Sequence, residues 1–224
     1  MNAPSEKPVV EFTLDFADLR DVVDQMSLSD LLNGIASPGH PHRIGSYQYT
    51  HSGGIFFPCD PRPEEVFIKD IARGLSTQHR FNGQTTKRMT VAEHSYHTSF
   101  HGPQEKALER LMHDSPEALI GDVIRPLKII PLFSSIYLKV ETGIMNAINA
   151  RYHLDPNADI RTADEAVLKQ EIPENIGSKA INHLGDAAGE TTRFPFQYWS
   201  SELAELMFLI RFRELTKERG IEPF

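Results

Sequence analysis

The sequence predicts a mainly α-helical chain that carries a small β-hairpin before its central helices and one further helix near its C-terminus. Apolar residues recur at three- and four-residue spacing through most of the chain, which is the period of a helix packed on one face. Two Thr-x-x-Glu patterns, at Thr90 and Thr162, are typical of helix starts. Alternation of aromatic and polar residues, which is typical of a strand, is confined to residues 47–57.

The composition indicates an ordinary soluble globular protein. The 224 residues suffice for one sizeable core, and a formal net charge of −8 argues against extended binding to long nucleic acid. A local basic pocket can still bind a small anion within an acidic protein. We find no run of about 18 apolar residues and no basic-then-apolar leader, so we expect no membrane partner and a cytoplasmic location. The single Cys59 can form no internal disulfide, which fits a reducing compartment.

Residues 1–46 are predicted to form an N-terminal extension. The first ten residues are polar and proline-rich, which predicts a disordered leader. Apolar residues between positions 12 and 32 predict one or two short helices, whereas the prolines and glycine of residues 35–43 predict a loop. His40 and His42 fall in this loop, and we interpret them as loop residues rather than metal ligands.

Residues 47–172 are predicted to form the functional core, which begins with a hairpin at 47–57 whose adjacent glycines supply the turn. Pro63 suits the first position of a helix, and the two glutamates after it suit the positive end of the helix dipole. We therefore predict a helix over residues 63–77. A long helix is predicted over residues 132–153 from its apolar residues.

The segment 79–88, HRFNGQTTKR, interrupts these helices with three cationic side chains, an asparagine and a glycine. One interpretation is a solvated turn. The other is a binding loop in which Arg80 reaches a phosphate and Asn82 or Gln84 contacts a sugar or base. The local sequence leaves both open.

The pattern at residues 90–93 predicts a capping box, in which Thr90 and Glu93 satisfy each other's exposed amides. His94 then lies at the end of the first helical turn. Five of the ten histidines fall between residues 79 and 113. A single histidine is more often structural than metal-binding, so their neighbours decide which ones carry chemistry.

The segment 111–128, LMHDSPEALIGDVIRPLK, contains more polar groups than a core helix needs. Neutral imidazole and carboxylate oxygens together bind a divalent transition ion, whereas arginine and lysine bind phosphate oxygens. The segment therefore predicts metal and phosphate chemistry. Its candidate residues are His113, Asp114, Glu117, Asp122, Arg125 and Lys128.

The capping pattern at residues 162–165 predicts a helix that runs towards residue 170. Asp164 lies in its first turn, where the local sequence indicates only compensation of the helix dipole. Residues 173–224 are predicted to form a C-terminal extension, irregular as far as residue 199 and then an amphipathic helix over about 200–219. The apolar residues on which this helix prediction rests are Leu203, Leu206, Met207, Leu209, Ile210 and Leu215.

Four motifs occur in a fixed order: RFNG at residues 80–83, VAEHS at 91–95, the long segment at 111–128, and TADE at 162–165. Together they resemble the HD-domain metal-dependent phosphohydrolases, and within that family the branch of 5′-deoxynucleotidases and phage-type dATP triphosphohydrolases. The resemblance covers about residues 57–171, and it implies an HD-domain helical bundle with an extra C-terminal helix.

The resemblance also implies the roles of individual residues. Its metal ligands correspond to His94, His113, Asp114 and Asp164. Glu117 and Asp122 correspond to acidic positions that can orient a water molecule or move its proton. His97 and His101 lie outside the motifs, and we expect them to be structural or exposed. The expected substrate-binding residues are Arg80, Asn82, Arg125 and Lys128.

Two histidines and two aspartates suit Mn, Co, Ni, Fe or Zn better than calcium, and Mg is a further candidate. We expect hydrolysis of a small-molecule (deoxy)nucleotide, by a 5′-nucleotidase acting on deoxynucleoside monophosphates. The alternatives are a deoxynucleoside triphosphate triphosphohydrolase, a metal-containing nucleotide-binding regulatory module without turnover, and a structural helical protein. A homo-oligomer is expected because related enzymes assemble and because the last helix is amphipathic.

Overall fold

A computed structural model describes residues 16–32, 36–37, 39–176 and 194–221. The structure is mainly helical, which confirms the predicted class. Among the described residues, no helix has both the length and the apolar character needed to cross a membrane. In chain order the helices are α1 (Phe16–Gln25), α2 (Leu28–Leu31), α3 (Ile68–Thr77), α4 (Val91–Thr98), α5 (Ala107–Met112), α6 (Glu117–Ile120), α7 (Arg125–Lys128), α8 (Pro131–Tyr152), α9 (Arg161–Asn175) and α10 (Ser201–Arg219).

Among the described residues, two small antiparallel strand pairs precede α3. The predicted hairpin is confirmed: β3 (Gln48–Tyr49) pairs with β4 (Ile55–Phe56). The first pair, β1 (Ala36–Ser37) with β2 (His40–Ile44), falls where a loop was predicted, so that prediction is wrong.

Ring contacts and ion pairs hold β2 in place. The His40 ring packs edge-on against Tyr47 and Phe57. The Arg43 guanidinium pairs with Asp60 and Glu65 and lies 3.9 Å from the Phe57 ring centroid. These tertiary contacts stabilise strand conformation in a segment whose prolines and glycine indicated a loop.

The predicted helix over residues 63–77 is divided in two. A 3₁₀ turn at Pro63–Glu65 leads through extended backbone at Val66 and Phe67 into α3. The long helix α8 matches its prediction within one residue at each end. The predicted disordered leader at residues 1–10 lies outside the described residues.

The core lies where α10 packs across α3, α4 and α5. Phe208 and Phe212 of α10 are fully buried in one cluster with Ile71 and Leu75 of α3 and Leu108 of α5. Residues of α8, including Ile144 and Ile148, complete this cluster. The C-terminal helix is therefore part of the same core as the predicted functional region.

The buried face of α10 matches the apolar residues of the prediction only in part, because Leu215 is buried and Leu209 packs against the core. Ala204, Phe208 and Phe212 are buried, whereas Leu206 is 52% exposed and Ile210 is 42% exposed. Apolar residues occur on both faces of this helix, so their spacing alone does not identify the packed one.

Candidate metal centre

Three helices carry the predicted metal ligands. His94 lies in α4, His113 and Asp114 follow the end of α5, and Asp164 lies in the first turn of α9. Helix α4 packs against both α5 and α9, and this packing brings the ligands together although they lie far apart in the sequence.

The donor atoms of His94, His113 and Asp164 converge on one point. Asp164 Oδ1 lies 3.0 Å from His94 Nε2 and 3.9 Å from His113 Nε2. One ligand atom from each of the three residues lies within 4.8 Å of the others, a spacing that can hold a metal ion. His94 is fully buried, and the other two residues are partly buried. The predicted metal cofactor is supported to this extent.

Asp114 lies beside this group rather than within it. Its Oδ1 is 3.1 Å from His113 Nε2, and its Oδ2 is 3.7 Å from His94 Nε2. Burial opposes ionisation of Asp114, but His113, His94 and Arg80 outweigh it and hold the pKa of this carboxyl well below its usual range. Asp114 therefore adds a second negative charge next to the donor atoms, and its role as a ligand stays a prediction.

Both histidines are oriented by an acceptor at Nδ1. Glu171 Oε1 lies 2.5 Å from His94 Nδ1, and the backbone carbonyl of Arg110 lies 2.8 Å from His113 Nδ1. With these acceptors Nδ1 of each ring carries a proton, which leaves Nε2, on the side of Asp164, as the atom that would bind a metal ion once its own proton is lost. Partners of this kind fix the tautomer and ring orientation of metal-binding histidines.

Glu171 is a functional residue that the sequence interpretation missed. It is fully buried, and it follows Asp164 by seven residues, which places both on the same face of α9. Arg80 donates to Glu171 Oε2 from Nε and Nη2, each at 3.2 Å. The i, i+7 spacing from Asp164 is a signal that could have identified Glu171 as a neighbour of the site.

The charges around His94 favour a cation. Burial and Arg80 oppose protonation, but Glu171 and Asp164 outweigh them and raise the pKa of His94 to about 10. Near His94, the Arg80 guanidinium faces three carboxylates, those of Asp114, Asp164 and Glu171. A divalent cation would balance the two negative charges that remain. A metal ion at Nε2 would replace a proton, so its binding would strengthen as the pH rises.

Two further observations fit a metal ion. His113 Nε2 and Asp114 Oδ2 are buried and have no hydrogen-bond partner within the described part of the chain. Buried polar atoms are normally satisfied, and unpaired ones mark strain, function or a bound ion. The mixed nitrogen and oxygen donors suit a transition metal.

The predicted catalytic acids lie on the α6 side of the centre. Glu117 is buried, and burial, Asp114 and Asp122 raise its pKa to about 9 against the opposing charge of Lys128. Burial likewise raises the pKa of Asp122. The side-chain amide of Gln78 holds this segment, because it donates to the Glu117 carbonyl at 2.8 Å and accepts from the Asp122 N–H at 2.7 Å. Because its pKa is raised to about 9, Glu117 keeps a proton at neutral pH.

The predicted substrate-binding residues occupy different environments. The Arg80 Nη1 lies 3.8 Å from Asp114 Oδ2, so Arg80 is adjacent to the metal ligands. The Lys128 ammonium binds Glu117 at 3.0 Å and Glu141 at 3.3 Å. Asn82 and Arg125 are exposed. The structure brings Arg80 to the candidate centre and Lys128 to Glu117, one of the predicted catalytic acids.

A cavity of about 360 Å³ opens beside the metal ligands. His113 and Asp164 form part of its wall, and Met145 and Asn149 of α8 face them with Ile160 from the loop before α9. Six of its ten lining residues are polar or charged, and its size is within the range of small-molecule sites.

Neither predicted capping box forms in full. Thr90 Oγ1 accepts from the Glu93 N–H at 3.1 Å as predicted, but the Glu93 carboxylate instead accepts the backbone N–H groups of residues 197–199. Helix α9 begins at Arg161, and the Thr162 hydroxyl donates to Asp159 rather than capping the helix. Long-range contacts with Glu93 replace the local bond that the sequence pattern indicated.

Comparison with known proteins identifies relatives without a stated activity. No protein-family model matches the chain. It is 35% identical over 129 residues to the uncharacterized protein YfdR of Escherichia coli (strain K12), an alignment that covers 56% of this chain and 70% of YfdR. It is 36% identical over 118 residues to an uncharacterized protein of Rhodobacter capsulatus, with 49% of this chain and 59% of that protein covered.

Proposed function

The chain belongs to the family of the uncharacterized Escherichia coli protein YfdR, and we propose that it is a divalent-metal-dependent phosphohydrolase of the HD-domain class. The proposed substrates are (deoxy)nucleotides, with deoxynucleoside monophosphates first among them. The observation that carries the proposal is the convergence of His94, His113 and Asp164 within 4.8 Å, next to a buried Glu117 whose pKa is raised.

The donor set supports a metal-dependent reaction. When bound, a divalent transition ion supplies Lewis acidity, which polarises a phosphoryl group and makes water a stronger acid. Glu171 and the Arg110 carbonyl hold the two imidazoles with Nε2 towards that ion. Arg80 is held by Glu171 with one amino group directed at Asp114, where its positive charge can stabilise a phosphate oxygen.

Glu117 is the proposed proton donor. A general acid must hold a proton at the working pH, and burial keeps one on this carboxyl up to about pH 9. The leaving nucleoside oxygen needs such a proton when the phosphate ester breaks. Lys128, bound to Glu117 Oε1 at 3.0 Å, fixes the orientation of the carboxyl, and Gln78 fixes the backbone beneath it.

The basic side chains near the centre are already paired with carboxylates, which supports a monophosphate substrate over a triphosphate. A triphosphate tail needs several free basic residues along its path. Arg80 and Lys128 are each bound to carboxylates, and Arg125 is exposed on α7. The triphosphohydrolase remains the second candidate on the motif resemblance, and the two differ in their products.

The test is a panel of deoxynucleoside mono-, di- and triphosphates with Mn, Co, Ni, Zn and Mg supplied separately. Release of nucleoside and inorganic phosphate from monophosphates is the expected result. Release of intact triphosphate would establish the second candidate instead. Metal bound to the protein with no turnover on any nucleotide would favour a binding module and would overturn the proposed reaction.

Two variants separate metal binding from proton transfer. Asp114→Ala should abolish turnover, and turnover retained by this variant would overturn the assignment. Glu117→Gln should keep the bound metal and lose about 10²- to 10⁴-fold in kcat, because it removes only the proton donor. In the parent protein kcat should fall as the pH rises far enough to deprotonate Glu117, whose pKa burial, Asp114 and Asp122 raise above its usual value. A Glu117→Gln variant with unchanged kcat would remove Glu117 from the mechanism.

A further inference from the structure

Helix α6 begins at Glu117 and leads through Gly121 to Asp122, so this short segment carries both predicted catalytic acids. The helix has only four residues, too few for a helix to be stable by itself. Gly121 has a φ of +88°, a conformation that glycine adopts without strain, and it ends the helix. The position of the two acids therefore depends on the neighbouring elements that bind this segment.

Two glutamine side chains from other elements bind the backbone of the segment. Gln78, which directly follows α3, donates from Nε2 to the Glu117 carbonyl at 2.8 Å and accepts the Asp122 N–H at Oε1 at 2.7 Å. Gln48 of β3 donates from Nε2 to the Leu119 carbonyl at 2.7 Å. One amide thus links the backbone of the two acids, and a second amide holds the helical turn between them.

The segment also packs closely on α3. Gly74 lies one turn before Gln78, and a Cβ at this glycine would lie only 2.5 Å from the carbonyl oxygen of Ala118 and 2.7 Å from its Cα. The backbones of α3 and α6 therefore meet directly, and a larger residue at position 74 would push them apart. Helix α3 supplies both the surface on which α6 rests and, one turn later, the amide that binds it.

The hairpin that carries Gln48 is itself fixed to the core and to α3. Phe56, which lies opposite Gln48 in the strand pair, is fully buried in the core. In the turn of the hairpin, the Asp70 carboxylate of α3 accepts the Ser52 N–H at 2.6 Å and the Ser52 hydroxyl at 2.7 Å. Gln48 therefore reaches α6 from a rigid support, which connects the N-terminal hairpin to the candidate centre.

We propose that Gln78 and Gln48 are positioning residues of the phosphohydrolase reaction, and that they hold Glu117 and Asp122 in place beside the metal ligands. Both glutamines bind backbone atoms of the segment, so they orient the acids without taking part in proton transfer. A misplacement of about 1 Å near a reacting group can cost about 10²-fold in rate, which is the scale on which positioning residues act. The inference rests on the proposed function.

Gln78→Met removes both hydrogen bonds and keeps the length of the side chain. We expect kcat on a deoxynucleoside monophosphate to fall by about 10- to 100-fold, with KM and metal content unchanged, because the acids shift and the ligands do not. Gln48→Met removes one hydrogen bond and should lower kcat by about 3- to 10-fold. The control is Gln197→Met, since Gln197 also donates its amide to a backbone carbonyl, that of Pro195 at 3.1 Å, in the segment before α10. Its kcat should equal that of the parent.

A second comparison separates positioning from a general loss of structure. In Glu117→Gln the proposed proton donor is already absent, so adding Gln78→Met should lower kcat by a much smaller factor than it does in the parent. A purely structural role would give the same factor in both backgrounds. Hydrogen exchange of residues 117–122 should be faster in Gln78→Met and Gln48→Met than in the parent, and unchanged in Gln197→Met.

Three results would overturn the inference while the parent remains active. They are equal kcat in Gln78→Met and Gln197→Met, an equal loss in the parent and Glu117→Gln backgrounds, and loss of metal from Gln78→Met, which would assign the amide to the ligands. A parent that hydrolyses no nucleotide would overturn the proposed function, and this inference with it. If Gln78→Met fails to fold, Gln48→Met carries the same comparisons with Gln197→Met.

Discussion

His94 and His97 lie one turn apart on α4, and their surroundings are opposite. Both are buried, with exposures of 0% and 2%. His94 faces α9, where Glu171 and Asp164 raise its pKa to about 10. His97 faces the segment before α10, where burial and the nearby His94 lower its pKa to about 4. Neighbouring groups, more than burial, therefore decide whether a histidine of this helix carries chemistry.

Glu93 holds the aromatic side of α4, where Phe196 and Trp199 pack against His97. Its carboxylate accepts backbone N–H groups from Gln197, Tyr198 and Trp199 at 2.7 to 2.9 Å. This anchor places Trp199 parallel to the His97 ring and Phe196 edge-on to it. Glu93 and Glu171 thus have related tasks on the two sides, since one fixes a loop against α4 and the other fixes His94, a candidate metal ligand.

The largest expected effect compares His94→Ala with His97→Ala. Each variant removes one buried imidazole from the same helix, so the loss of packing is matched. His94→Ala should abolish metal binding and lower nucleotide hydrolysis by at least about 10³-fold, because it removes a ligand. His97→Ala should keep the metal content and lower only stability. Metal content by mass spectrometry decides, and equal metal loss in both variants would contradict the comparison.

Glu171→Gln and Glu93→Gln give the next largest effect. Glu171→Gln removes the charge that holds the His94 tautomer, and we expect its metal affinity to fall by about 10- to 100-fold. Glu93→Gln should leave metal affinity unchanged, although Glu93 adjoins His94 in the sequence. Titration of metal-free protein with Zn or Mn measures both. An unchanged affinity in Glu171→Gln would remove this residue from the centre.

Glu93→Gln should lower stability where Glu171→Gln lowers affinity. A glutamine offers one acceptor oxygen to the three N–H groups that the carboxylate now accepts, so at least one bond is lost. The expected cost in the free energy of unfolding is about 2 kcal/mol. Urea unfolding followed by the fluorescence of the single tryptophan, Trp199, reports this loop directly. Glu165→Gln on α9, whose side chain is 46% exposed, is the control and should change little.

The sequence predicted the ligand helices better than the contacts between them. His94, His113 and Asp164 were predicted from the resemblance to the HD-domain phosphohydrolases, whereas the local sequence indicated for Asp164 only compensation of the helix dipole. Glu171 was not predicted, since one glutamate near a helix end is common on protein surfaces. Only the packing of α9 on α4 makes it a partner of His94.

The same limit explains two of the errors of local structure. The Thr-x-x-Glu pattern at Thr90 predicted a bond within four residues, but Glu93 is used by a loop about 100 residues later in the chain. Of the apolar residues from which α10 was predicted, Leu215 is buried but Leu206 and Ile210 are exposed, whereas Phe208 and Phe212, at the same four-residue spacing, are buried. Local pattern determines that a helix forms, and long-range packing determines which side is buried.

The smallest effect is a pH dependence that has opposite signs on the two sides of α4. The pKa of His97 is lowered from an ordinary value near 6.5 to about 4, so the unfolded chain binds the extra proton and stability falls as the pH drops through this range. Between pH 8 and pH 6 the loss from His97 is about 1 kcal/mol. His94, whose pKa is raised, loses its contribution as the pH rises from 6.5 towards 10.

His97→Phe isolates the first of these contributions, because phenylalanine keeps an aromatic ring against Phe196 and Trp199 but cannot titrate. The free energy of unfolding is measured with urea at pH 8 and at pH 6 for the metal-free parent and the metal-free variant. Between these two pH values the parent should lose about 1 kcal/mol more than the variant. Parallel losses would mean that His97 is not the residue protonated on unfolding. The pH dependence of stability would then arise elsewhere, and the contrast between His97 and His94 would be one of ligands rather than of charge.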